Sequence, residues 1–437
     1  MSTFAYFPHT GEDIKVMLER VGLSSLDQLY ADVPAEFIHK GDYDLPNAMS
    51  EDEVRRWFED MASRNTRLKV FAGAGAYDHY TPSVIPYITS RSEFLTAYTP
   101  YQCEISQGTL RYIFEWQSMI CALTGLDVAN ASMYDGPTAA AEAMRMCVAC
   151  TRKRNTVVAS ARLLPHVLEV LQTYARYSGI NLLVEDDVRE AIAEGQLDLA
   201  GVIVPSINRF GIIENHTGLS DLVHELGGLL VEYCDPSALA VVRTPAEWGA
   251  DIAVGDGQSL GVPLCYGGPY VGFMACREQW MRKLPGRIVG QTADAQGRRA
   301  FVLTLQAREQ HIRREKATSN ICSNESLIAL WCTVYLSIMG PEGMKKLNSL
   351  CYEGAHYLKE QLLATGRFSD PFEGYPFLKE FALTPLCDVA KLQQALLDAG
   401  FFGALQTPEG YVTFCVTERR TREEIDSLVK VIKEAAL

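Results

Sequence analysis

Three stretches of this 437-residue chain gather side chains that can do chemistry. The first is Tyr98-Thr99-Pro100-Tyr101-Gln102-Cys103-Glu104-Ile105-Ser106-Gln107-Gly108, just ahead of an apolar helix expected over 110–123. Backbone N–H groups at a helix start attract anions, and tyrosine and glutamine side chains orient small polar ligands. The same composition also describes a well-bonded buried loop. The second is Asn130-Ala131-Ser132-Met133-Tyr134-Asp135-Gly136-Pro137-Thr138, a turn feeding an alanine-rich helix expected over 139–150. Ser132, Gly136 and Thr138 have the character of a phosphate-holding turn at a helix N-terminus. Asp135 and Glu142 oppose that reading, because unpaired carboxylates there repel a phosphate. The third, 308–321, places Arg308, Arg313, Arg314 and Lys316 within nine residues. It reads equally as a phosphate or carboxylate site and, with Glu309 and Glu315 interleaved, as a solvated helix face.

Two further motifs lose their sharper reading. Gly73-Ala74-Gly75 invites dinucleotide binding, but position 78 is Asp where the third glycine of that fingerprint belongs, and no helix is expected to follow. A tight loop with positive φ is the better account. Cys147 and Cys150 form a CxxC on the expected helix, without a second pair or nearby histidines at zinc spacing. No metal site is expected, and the twelve cysteines read as reduced thiols in mostly apolar surroundings.

The chain carries 54 acidic and 40 basic residues, a net charge of −14, which disfavours nucleic acid or an anionic membrane as the main partner. Apolar residues at 48% and charged residues at 22% are those of a globular protein. Residues 1–15 lack a basic region followed by an apolar one, so no secretory signal is expected. No membrane-spanning helix is expected either, and a reducing cytoplasm is the default location.

The elements that must position these side chains fall into three expected regions: a helical arm over 1–66, a large α/β domain over 67–330, and a small α+β domain over 331–437. In the arm, Ile14, Met17, Leu18 and Val21 follow a helical period, and Ser50 with Glu53 forms a capping box for a second helix. The arm reads either as a wrap around a larger body or partner, or as an independent extension. Short apolar runs at 156–159, 180–184, 200–204, 229–233 and 251–254 alternate with helical patterns such as 163–177 and 219–226. That alternation predicts a mainly parallel sheet covered on both faces, joined by right-handed crossovers. A helix from Ser326 is expected to end at Gly340-Pro341. Beyond it come strands at 377–383 and 411–416 and helices at 389–399 and 421–435.

Taken together, these stretches resemble the P-protein of the glycine cleavage system, in its two-subunit form the subunit 1 branch. The resemblance rests on 98–108, 130–138, 308–320, and Gly255-Asp256-Gly257-Gln258-Ser259-Leu260-Gly261 followed by Gly267-Gly268-Pro269. It extends from 22–35 at the start to 417–426 at the end. It implies a type I pyridoxal phosphate (PLP)-dependent transferase fold and an α2β2 heterotetramer. The implied activity is that of glycine dehydrogenase (aminomethyl-transferring), an oxidoreductase of glycine catabolism. Glycine is decarboxylated and its aminomethyl group passes to the lipoyl arm of H-protein.

The family's cofactor-binding lysine belongs to subunit 2. Aligning the Pro-x-x-x-Gly-Gly-Pro that follows it puts Gln258 of this chain at the lysine position. Asp235 then matches the aspartate that pairs with the cofactor's ring nitrogen. A glutamine amide nitrogen is not a nucleophilic amine and cannot form the imine link. The resemblance therefore implies a vestigial cofactor pocket made of Ser132, Asp135, Gly136, Thr138, Asp235 and Gln258, with no catalytic residue in this chain and no covalently held PLP. PLP would be carried by subunit 2. This chain would complete that subunit's active site through Tyr98, Thr99, Tyr101, Gln102, Ser106, Gln107, Arg313, Lys316, Thr318, Ser319 and Asn320. Two alternatives stay open: a self-sufficient PLP enzyme using another lysine, with Lys316 the best placed, and a non-catalytic regulatory module.

Overall fold

A computed structural model describes residues 6, 8–151, 154–194, 198–305, 310–317 and 319–436. The chain divides into two compact units, Met1–Thr66 and Arg67–Leu437.

The first unit is built on two capped helices. Thr10 caps Gly11–Arg20 and Ser50 caps Glu51–Ser63, each with a complete capping box through Asp13 and Glu53. Reciprocal hydrogen bonds satisfy N–H groups that a helix start leaves open. Neither helix buries a residue, and Val21, Phe37, Trp57 and Phe58 are all more than half exposed.

The second unit opens with β1 (Lys69–Phe71) and β2 (Val128–Ala129). Then follow β3 (Thr156–Ser160), β4 (Asn181–Glu185), β5 (Leu199–Pro205), β6 (Leu229–Tyr233), β7 (Ile252–Asp256) and β8 (Gly272–Cys276). Seven of these form one sheet in the order β2-β8-β7-β6-β5-β3-β4. Strands β3 to β7 pair in parallel, while β8 runs antiparallel to both β7 and β2. The sheet is thus mainly parallel, with a reversal at one end that apolar periodicity does not reveal. Both faces are covered, so the strands are apolar throughout. On β7, Ile252 and Val254 face the core that includes helices Gly136–Cys150 and Pro165–Ser178, while Ala253 faces the core containing Trp116, Ile120, Cys332 and Tyr335.

A hairpin of β9 (Ile288–Ala293) and β10 (Arg299–Thr304) follows. The remaining strands are β11 (Phe368–Ser369), β12 (Glu380–Pro385), β13 (Phe401–Gly403), β14 (Leu405–Gln406) and β15 (Val412–Cys415). A second, antiparallel sheet has the order β11-β12-β15-β14, backed by helices Val389–Asp398 and Arg422–Glu434. Phe71 of β1 joins this smaller core, and β1 pairs in parallel with β13.

The helix from Ser326 does not end at Gly340. It turns there (φ 56°, ψ −178°) and continues to Leu363. The bend is glycine's positive φ followed by proline, which suits the first position of a new helix. The expectation that no apolar helix of membrane-spanning length exists needs correcting too: Ser326–Leu363 meets that measure of length and hydropathy. Its stretch ahead of the turn, residues 326–339, rises only about 21 Å, short of a hydrocarbon core of about 30 Å. Buried Cys332, Tyr335, Met344 and Leu358 place both halves in the protein's own cores.

Candidate functional site

Strands β6 and β7 end side by side, and the carboxyl ends of parallel strands are where α/β sheets hold ligands. Asp235 lies just beyond β6. Its Oδ1 accepts hydrogen bonds from Ser237 N (3.0 Å), Ser237 Oγ (2.9 Å) and Ser259 Oγ (2.5 Å). Its Oδ2 lies 2.6 Å from the ammonium of Lys379, which precedes β12. Lys379 also donates to Ser237 Oγ at 2.9 Å and to His79 Nε2 at 3.1 Å, and stands 3.8 Å from the centre of the Tyr77 ring. Because His79 Nε2 accepts from an ammonium, the ring proton sits on Nδ1 and is donated to Glu418 Oε2 at 2.7 Å. Glu418 Oε1 accepts from the backbone of Tyr80.

This row is closed to water, with Lys379 and His79 each 2% exposed. Burial by itself pushes Asp235 up and Lys379 down. Their attraction outweighs it, leaving Asp235 below and Lys379 above their ordinary pKa values. Burial and the neighbouring ammonium hold His79 below its ordinary value, so it stays neutral. His79, Cys351 and Glu418 are metal-ligand types standing close together. The ammonium on His79 Nε2 repels a cation there, and burial pushes the Cys351 thiol to about 12.

Gln258 follows β7 and is fully buried. Its Oε1 accepts from Tyr77 N at 2.7 Å, and its Nε2 donates to Tyr77 O at 2.8 Å and Val262 O at 2.7 Å. The amide is therefore bound by backbone through both its oxygen and its nitrogen. The segment carrying Tyr77 is shaped by the glycine loop: Ala74 has φ +59° and Gly75 φ +96°, and Ala74 N donates to Glu380 Oε1 at 2.7 Å. A Cβ on Gly73 would stand 2.7 Å from that carboxylate. The Gly73-Ala74-Gly75 motif is thus a tight loop built to receive Glu380, whose pKa burial raises to about 7.

The start of helix Gly136–Cys150 is occupied by carboxylates. Asp135 is its N-cap and accepts from Thr138 N at 2.7 Å, while Gly136 N donates to Asp256 Oδ2 at 2.9 Å. Asp256 Oδ1 accepts from Gln258 N at 2.9 Å, and burial raises the Asp256 pKa to about 7. A Cβ on Gly136 would lie 2.5 Å from the Tyr233 hydroxyl. Ser132 is buried, with its hydroxyl accepting from Asn324 Nδ2 at 3.1 Å. Glu142 is buried and paired with Arg145 at 3.0 Å.

These residues do not fit PLP. The residue that the resemblance puts at the lysine position is a backbone-bound amide, the aspartate it would pair with the ring nitrogen already holds an ammonium, and the helix start it would give the phosphate already holds two carboxylates.

The other expected residues have different surroundings. Tyr98 is 82% exposed and Gln102 is exposed, whereas Thr99 and Ser106 are half-buried. Tyr101 is exposed and its hydroxyl accepts from Arg287 Nη2 at 3.1 Å. Gln107 brackets β10: it accepts from Phe301 N (2.9 Å) and donates to Phe301 O (2.8 Å) and Cys103 O (2.7 Å). Arg313 and Lys316 are exposed in the short turns Gln310–Arg313 and Arg314–Lys316. Ser319 Oγ accepts from Ile321 N, and Asn320 Nδ2 lies 3.5 Å from Tyr174 OH. Thr318 and Arg308 lie outside the described residues. Sequence reasoning missed Tyr77, His79, Lys379, Glu380 and Glu418. A signal was there: Lys379-Glu380 is a charged pair inside a run otherwise read as an apolar strand, and fully buried charges are nearly always paired.

Sheet topology and the smaller C-terminal sheet are those of a type I PLP-dependent transferase fold. A NifS-like protein (TM-score 0.63, 12% identity, covering 84% of this chain and 98% of that one) shares this fold. So does alanine–glyoxylate aminotransferase from Nostoc sp. (TM-score 0.59, 16% identity, covering 85% and 95%). Within that fold the chain belongs to the glycine cleavage system P-protein family, whose sequence profile matches residues 4–432. It is 48% identical to the probable glycine dehydrogenase (decarboxylating) subunit 1 of Moorella thermoacetica, over 98% of this chain and 99% of the relative. It also resembles the crystal structure of glycine decarboxylase (P-protein) of the glycine cleavage system in inhibitor-bound form, with a TM-score of 0.89, 41% identity and coverage of 99% and 100%.

Proposed function

We propose that this chain is subunit 1 of a two-subunit glycine dehydrogenase (decarboxylating) and acts only in complex with subunit 2. The observation that carries this reading is Gln258, buried and with every amide group bound to backbone at the lysine position, in a chain that matches subunit 1 proteins from end to end. Subunit 2 would carry PLP, bind glycine and release CO2. This chain would supply part of the surrounding wall and of the path by which the lipoyl arm of H-protein enters. Support for a partner-facing surface comes from 84–105, where Tyr87, Leu95, Tyr98, Tyr101 and Ile105 are all more than half exposed. Twelve free thiols suit a reducing cytoplasm. The alternative built on Lys316 lacks comparable support, because that side chain is exposed in a short turn.

The test is glycine–bicarbonate exchange by each chain alone and by the two together. Exchange is expected only when both are present. Exchange by this chain alone overturns the proposal.

A further inference from the structure

We propose that the cofactor pocket of this chain is filled from within by side chains that carry the cofactor's own charges. The Lys379 ammonium stands on Asp235 in place of the protonated ring nitrogen, and the Asp135 and Asp256 carboxylates stand on helix Gly136–Cys150 in place of the phosphate. This rests on the family reading of Asp235 and of that helix start.

The geometry supports substitution of charge for charge. A buried carboxylate without a cation is costly, and Lys379 reaches Asp235 from the smaller sheet, 144 residues further along the chain. An ammonium has three N–H groups. Two of those of Lys379 go to Ser237 Oγ and His79 Nε2, and the ammonium stands 2.6 Å from Asp235 Oδ2 as an ion pair. At the other end, the helix N–H groups of Gly136 and Thr138 each have a carboxylate acceptor. Tyr233 and Asp256 crowd Gly136 closely enough that even a Cβ does not fit. Gln258 lies between these points with its amide bound to Tyr77 and Val262. Exclusion of PLP therefore does not depend on the missing lysine. The pocket keeps its two charged recognition points and satisfies both internally.

The experiment uses the full single chain, so its failure leaves glycine exchange by the two-chain complex untouched. Thermal unfolding is compared for wild type, Lys379→Met, Asp235→Asn and the double variant. Lys379→Met is expected to lower Tm by roughly 5 °C by leaving a buried carboxylate unpaired, and Asp235→Asn added to it to recover most of that loss. Wild type is expected to show no saturable uptake of PLP up to 1 mM and no change in Tm. Pyridoxine, a protonatable pyridine without phosphate, is expected to raise the Tm of Lys379→Ala and leave wild type unchanged. Three results overturn the proposal: Lys379→Met as stable as wild type, pyridoxine acting alike on both proteins, or borohydride trapping a pyridoxyl adduct on Lys379 of the wild type.

Discussion

On the proposed function, Gln258 both removes the link to the cofactor and holds the fold together. Its amide closes three hydrogen bonds in a site with no access to water, and an unmet buried partner costs about 1–3 kcal/mol. Gln258→Lys is therefore expected to lower Tm and to give no decarboxylation of glycine by the single chain, checked by calorimetry and release of labelled CO2. Glu232 on β6 is a second buried group with a measurable consequence. It is 1% exposed, neither carboxylate oxygen has a hydrogen-bond partner among the described residues, and burial raises its pKa to about 8. The folded chain thus holds a proton that the unfolded chain releases near 4.5. Stability is full below that value and falls by up to about 1.4 kcal/mol per pH unit as pH rises toward 8. Glu232→Gln removes this dependence. Its Tm relative to wild type is expected to be higher at pH 8 than at pH 5, and an equal difference at both would refute the assignment.

Elements decide which polar side chains are available to a ligand. The 98–108 segment looked uniform in sequence, yet the helix that follows starts at Gln107 and points that amide at β10. Gln107→Ala is expected to destabilise the hairpin, lowering Tm by an amount equivalent to about 1–3 kcal/mol. Tyr98 is exposed on the same segment. Tyr98→Phe is expected to leave Tm and assembly unchanged but to lower turnover of the two-chain complex, by about 10²-fold if the hydroxyl is an oriented donor in the closed site. Unchanged turnover would remove Tyr98 from the active-site wall. The turn at Asp135 is a further case of elements deciding availability. A helix start is an anion site until an N-cap takes it, and here the cap is itself a carboxylate.

At the scale of the whole molecule, the Met1–Thr66 unit carries exposed apolar side chains such as Val21, Phe37, Trp57 and Phe58. The helices of the Met1–Thr66 unit bury no residue, and an obligate interface commonly covers more than about 2,000 Å². Mixed at micromolar concentration with subunit 2, the chain is expected to elute from a sizing column as a heteromer. A chain lacking residues 1–66 is expected to keep the fold of Arg67–Leu437 and lose that co-elution. Separate elution of the full-length chains would contradict the assembly.

Local patterns in the sequence were enough to place β3 to β7, the Ser50 capping box and the tight Gly73-Ala74-Gly75 loop, because each depends on neighbours within a few residues. Position 258 carries an amide, which by identity alone cannot form an imine, but its backbone partners Tyr77 and Val262 were not legible. The reversal at β8 and the continuation of the helix past Gly340 were not, because pairing direction and packing are set by distant parts of the chain. The contents of the pocket belong to the same class. Lys379 meets Asp235 across 144 residues, and His79 meets Glu418 across 339. Only folding brings such groups within 3 Å. Only their burial, which makes an unpaired charge costly, makes those partners obligatory.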